Sequence, residues 1–142
     1  MAEGIGRRDQ KPPTIMVSDE RRRELLREYF GQRVEWEWEA YSHPRPDAAQ
    51  TLARQRLREA VTTVCRHVPE GGRILDLGSG SGLASATLAD LGYRVTAVEM
   101  IPKLVERCRE QYGSTVQWKT QPFDDRVAKK GSFDLVLSLG FL

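Results

Sequence analysis

The sequence predicts an α/β fold built on an open parallel sheet, on three observations. RILDL (73–77), RVTAVE (94–99), TVQW (115–118) and FDLVLSL (133–139) read as strands. LASATLADL (83–91) and a segment opening at Pro102 read as the helices between them, and the joints are short and glycine-bearing. Strand alternating with helix through short turns implies right-handed crossovers and parallel pairing. VTAV and LVLSL are nearly continuous apolar runs, which suits strands covered on both faces.

Taken in order, residues 1–17 are polar, carry glycines and a Pro-Pro pair, and read as a tail. Ser18 or Asp19 can cap a first helix, with Glu20 favourable near its positive end. That helix runs to about Phe30, with Leu25, Leu26, Tyr29 and Phe30 on one side, and Gly31 can stop it. VEWEWEAYSHPRP (34–46) alternates with a two-residue period until Pro44 and Pro46 close it, and reads as a lid-like segment or a short helix. A second long helix starts near Asp47 and runs to about Val68, with Leu52, Leu57, Val61, Val64, Cys65 and Val68 at helical spacing. Pro69, Gly71 and Gly72 break it, so a helical or lid segment (18–69) precedes an α/β segment (70–142). Within the latter, Gly92 ends the first helix, Pro102 suits the first turn of the next, and Gly113 ends that one after Leu104, Val105, Cys108 and Tyr112. No internal repeat is present.

Lys and Arg number 22 against 20 Asp and Glu, too balanced for the concentrated basic footprint of a nucleic-acid binder. The run Arg21, Arg22, Arg23 lies among Asp19, Glu20, Glu24 and Glu28 and reads as a solvated helix face. No apolar run approaches a bilayer span and no signal-peptide core is present, so neither membrane nor export is expected. Two cysteines, Cys65 and Cys108, each on the apolar side of a predicted helix, give no metal or disulfide pattern; a reducing cytoplasm is the expected compartment.

ILDLGSGSG carries the chemistry. A strand runs into a loop with glycine at 78, 80 and 82, and a helix follows. Glycine there reaches backbone angles barred to other residues and lets a ligand lie against the main chain. About twenty residues on, the next strand ends in Glu99, and a carboxylate at such a tip can accept the hydroxyls of a ribose. A dinucleotide loop wants G-x-G-x-x-G, but the third glycine falls on Leu83, or on Ser85 in the shifted frame. Asp76, two residues before the loop, is awkward beside a pyrophosphate and suits a ligand carrying a cation. S-adenosylmethionine has an ammonium, a sulfonium and a ribose, and no phosphate.

Asp76 with Gly78-Ser79-Gly80-Ser81-Gly82 and then Glu99 resembles the first two motifs of the class I S-adenosylmethionine-dependent methyltransferases. Gly71-Gly72 before the first strand and SFDLVLSLG (132–140) are similar to that family as well, and EYFGQRVEWEWEAY (28–41) resembles an N-terminal segment that closes over the cofactor in its small-molecule members. The resemblance implies a Rossmann-like sheet, seven-stranded in the family and ordered 3-2-1-4 in the part this chain supplies. It implies that Asp76, Gly78, Ser79, Gly80 and Gly82 contact the methionine end, Glu99 the ribose and Met100 one face of the adenine. After the third strand the family carries an acid toward the adenine amino group. QWKTQPFDD (117–125) offers Lys119, Thr120 and Gln121 there, with Asp124 later, while Trp118 or Phe123 can either stack on the ring or belong to the core.

Methyl transfer asks mainly for alignment and exclusion of water. His43 is the candidate general base, against the alternative of a surface-loop histidine; Tyr29, Trp36, Trp38 and Tyr41 can line the sulfonium and acceptor, or pack the N-terminal helices onto the sheet. No metal constellation exists. The expected function is methyl transfer to a small-molecule acceptor. The alternatives are a non-catalytic module that binds the cofactor or pairs with another chain, and a nucleotide-binding oxidoreductase domain. LVLSL would lie at a sheet edge, so the chain reads as the cofactor half of such an enzyme, with self-association or a partner chain expected along 133–139.

Overall fold

A computed structural model describes residues 18–139. Three helices come first: α1 (Asp19–Gly31), α2 (Val34–Glu39) and α3 (Ala48–His67). Ser18 caps α1 through Arg21 N–H, and Asp47 caps α3 in a reciprocal box with Gln50, which satisfies helix-end donors that would otherwise lack partners. Then β1 (Arg73–Leu77), α4 (Leu83–Asp90), β2 (Arg94–Glu99), α5 (Pro102–Tyr112), β3 (Gln117–Thr120) and β4 (Leu135–Leu137) follow in alternation. All pairings are parallel and the order is β3-β2-β1-β4, the order the family resemblance implied.

Val64 of α3 and Val68 just beyond its end, Leu88 of α4, and Val105 and Cys108 of α5 bury against Ile74, Val95, Ala97 and Trp118 of the sheet. A second cluster of Val34, Met100, Ile101 and Leu104, with Leu26, Phe30 and Phe123 against it, docks α1 and α2 onto the start of α5. Both clusters leave the carboxyl ends of β1 and β2 side by side, with Leu77 opposite Val98. That is where open α/β sheets place their ligands.

Residues 34–46 contain a short helix, α2, followed by a turn, one of the two readings their sequence allowed; other expectations need correction. β3 begins two residues later than the alternation suggested, because it pairs with the last four residues of β2, from Thr96 opposite Gln117 to Glu99 opposite Thr120. β4 is shorter than 133–139; Asp134 ahead of it turns its carboxylate onto Arg73, whose N–H donates to it at 2.8 Å. β4 pairs only with β1, and Val136 is 58% exposed. Cys65 is exposed rather than on the core side of α3, since the buried stripe there is narrow and Val64 occupies it. Leu25, Tyr29 and Leu52 are also exposed. The tail (1–17) lies outside the described residues, among which no helix is long and apolar enough to cross a membrane.

Candidate cofactor cleft

The turn after β1 reverses the chain through three glycines with positive φ, at Gly78, Gly80 and Gly82. Their faces differ. A Cβ on Gly82 would stand 2.7 Å from the Trp118 ring and 2.8 Å from Cys108 Sγ, so this glycine is required by the core. A Cβ on Gly80 would point into the cleft and stand 3.2 Å from the Glu37 carboxylate, so only the end of one flexible side chain covers this face. Gly78 N–H donates to Val98 O at 2.9 Å and ties the loop to β2.

Glu99, at the tip of β2, is held by main-chain donors. Its Oε1 accepts from Met100 N–H at 2.7 Å and Ile101 N–H at 3.0 Å, and its Oε2 accepts from Gly80 N–H at 3.1 Å. Burial raises its pKa, and those three N–H groups pull the other way. Asp76, 2% exposed, accepts a 2.6 Å hydrogen bond from the Ser85 hydroxyl on α4. Burial pushes its pKa up to about 6; the Ser85 bond opposes this and the Glu99 charge adds to it.

A third carboxylate is Glu37 of α2, half-buried above the loop; burial raises its pKa, the Arg33 guanidinium opposes, and Glu99 adds. The cleft is walled by Phe30, Met100, Leu104 and Leu139 beside these acids and encloses about 50 Å³, because α2 lies close over the loop. Its neighbour toward α4 adds Asp76, Ser79, Tyr41 and Leu83. Neither wall includes Lys or Arg. Three carboxylates with no cation among the lining residues make a negative potential. That environment attracts an ammonium or sulfonium and repels a pyrophosphate. The acid-rich lining and the glycine face beneath Glu37 thus fit the adenosyl sulfonium better than a dinucleotide.

The structure distributes the other candidates unevenly. On a helix, residues two apart point to opposite sides. Trp36 therefore faces a second cavity with Tyr29 and Tyr41, while Trp38 packs 6.2 Å from Tyr112 and under the Arg107 guanidinium at 4.4 Å. His43 is exposed, with Nδ1 engaged by the backbone of Arg45, and it is not among the residues lining the cleft. Trp118 is buried in the core and stacks on Tyr112; Phe123 packs against the Met100 cluster; Asp124 pairs with Arg126. Glu37 escaped the sequence reading. Its position four residues after Arg33 and between two tryptophans was the available signal, usable only once the segment is known to be helical.

Comparison with known proteins places this geometry. A family profile for a methyltransferase domain matches residues 74–142. A ubiquinone biosynthesis O-methyltransferase of Xanthomonas axonopodis pv. citri is 40% identical over 78 residues, covering 52% of this chain and 33% of that protein. The chain thus spans about a third of the length of the curated relatives it matches. Among solved structures, magnesium protoporphyrin IX methyltransferase of Synechocystis with bound S-adenosylmethionine aligns with a TM-score of 0.66 at 21% identity, covering 89% of this chain and 64% of that one. A Burkholderia thailandensis 1,6-didemethyltoxoflavin-N1-methyltransferase aligns with a TM-score of 0.62 at 20% identity, covering 95% and 57%. At those identities the likeness is one of fold.

Proposed function

We propose that this chain, whose residues 74–142 belong to the methyltransferase-domain family and which folds as the class I S-adenosylmethionine-dependent methyltransferases do, binds S-adenosylmethionine over its glycine loop for methyl transfer to a small-molecule acceptor. The observation that carries this reading is the acidic cleft: Asp76, Glu99 and Glu37 around the cleft-facing side of Gly80, with no lining cation. When bound, the cofactor supplies a methyl group already activated by its sulfonium.

The chain's own residues do the positioning. Asp76 provides an anionic partner for the ammonium, and Gly78, Ser79 and Gly80 give the methionine end a backbone surface. Glu99 offers its carboxylate to the ribose. Oε1 already has two donors and Oε2 one, so one hydroxyl finds a vacant acceptor position and a second displaces a main-chain donor. Met100 supplies the apolar surface for the adenine. α1 and α2 cover the cleft and keep water from the reacting atoms. Gly82 supports this arrangement through the core. A cytoplasmic location suits the two free thiols.

A second reading is a non-catalytic module that binds the cofactor and pairs along the outer edge of β4, favoured by the exposure of Val136 there. Calorimetry with S-adenosylmethionine, S-adenosylhomocysteine and NAD tests the main reading. Both adenosyl ligands should bind at one site and NAD should not. Binding of NAD alone, or of none of the three, would overturn it; adenosyl binding without turnover on a broad acceptor panel would select the module.

A further inference from the structure

We propose that the cavity between α1, α2 and α3 is the acceptor site, and that it takes a flat aromatic acceptor carrying an anionic group as a handle. The inference rests on the cofactor reading above, because the cavity is the cleft's neighbour: Phe30, Glu37 and Leu139 line both. It holds about 330 Å³, against about 50 Å³ in the cleft.

Its lining contrasts with that of the cleft. Tyr29, Trp36 and Tyr41 supply aromatic surface, and Leu52 and Ala53 of α3 supply aliphatic surface. Aromatic rings of a ligand gain from offset or edge contacts with such walls. Arg33 and Arg56 also line this cavity, and neither lines the cleft over the glycine loop. Arg33 is pinned: its guanidinium lies 4.7 Å from the Trp36 ring and 5.3 Å from the Tyr29 ring, and it donates to Tyr29 Oη at 2.6 Å. A guanidinium held in this way loses little freedom on binding a carboxylate. The charge of Glu37 offsets part of its own. Arg56 forms no ion pair among the described residues and is the less compensated cation.

The two cavities therefore sort charge. Acids face the glycine loop, where the cofactor is cationic; arginines face the second cavity. An acceptor with its anion at the arginines lays its flat body along the aromatics and reaches past Glu37 toward the cleft. The anion is then the handle and not the nucleophile.

Ligand-observed NMR titrations of the full chain, saturated with S-adenosylhomocysteine, with naphthoate, naphthalenemethanol and naphthylmethylammonium test this. Naphthoate should bind roughly tenfold tighter than the alcohol, as a charge-assisted contact requires. The ammonium should bind weakest. Arg56→Gln, an exposed change on α3, should remove most of the preference and leave S-adenosylmethionine affinity by calorimetry unchanged. Equal binding of acid and alcohol, preference for the ammonium, no binding of any probe, or indifference to Arg56→Gln would each overturn the proposal. Arg56-dependent naphthoate binding in a chain that binds no adenosyl ligand would instead remove the cofactor reading and leave the anion site standing.

Discussion

The floor of the cleft and its roof are built by different means. The floor is Asp76 and Glu99, 2% and 7% exposed, fixed by two central parallel strands and by bonds to Ser85, Gly80, Met100 and Ile101. The roof is α1 and α2, attached by buried Val34, by the half-buried Leu26 and Phe30, and by Arg107 of α5, which pairs with Glu35 at 2.8 Å and covers Trp38. Charge in the floor is set by elements that also make the core. Groups in the roof stand on a few side-chain contacts. Changes in the floor should cost folding or binding heavily, and changes in the roof should cost little stability.

The sharpest way to break this contrast lies within the floor. Gly82→Val forces a branched side chain into Trp118 and Cys108 at positive φ, and should destabilise by about 2–6 kcal/mol, adding overpacking to backbone strain. Gly80→Val, two residues earlier, points into the cleft. Its strain should cost about 1–3 kcal/mol while S-adenosylmethionine binding is lost. Thermal unfolding and calorimetry on the two variants check the pair. A stable Gly82→Val, or full affinity in Gly80→Val, would contradict the assignment of their faces.

A middle-sized effect is expected from pH. Asp76 titrates near 6 in the folded chain against 3.8 when unperturbed. A raised folded pKa means that its contribution to stability is fully present below about 3.8 and is lost as pH rises through about 6. In the proposed function the ionised form partners the cofactor's ammonium, so affinity should rise across the same upper limit. Acid should thus strengthen this contribution to the empty fold while weakening the complex. Calorimetry between pH 5 and 8 checks it, and Asp76→Asn should flatten that part of the dependence. An affinity that does not change through pH 6 would separate Asp76 from the ligand.

Arg107→Ala tests the roof and should have the smallest effect. Its ion pair joins a half-buried guanidinium to an exposed carboxylate and, with the cation–π contact, contributes about 1 kcal/mol. The expected outcome is a small loss of stability with the floor intact, seen as retained adenosyl binding. Global unfolding would show that α2 is as integral as the sheet.

The same division governs what could be read from the residues. β1 and β2 were legible to the residue, because short apolar runs with glycine or proline close to both ends leave little freedom of register. The loop between β1 and α4 follows from the same boundaries. The roof was not legible: 34–46 fits either a lid or a helix, and helical phase decides which side chains meet. Once α2 is a helix, Trp36 and Trp38 part company and Glu37 comes over Gly80, although the two are far apart in the sequence. Cys65 shows the same limit in α3, where one step from Val64 turns a side chain from core to solvent. The late start of β3 depends on which part of β2 it meets, a long-range choice that local alternation does not encode.

The most direct test is a crystal structure of this chain with S-adenosylhomocysteine. The expected result has the amino-acid end over Gly80 with Asp76 near the ammonium, a ribose hydroxyl within hydrogen-bond distance of Glu99, and α2 displaced or reshaped above it. A nucleoside bound elsewhere, or a cleft still closed by Glu37 and Phe30 at saturating ligand, would contradict the account.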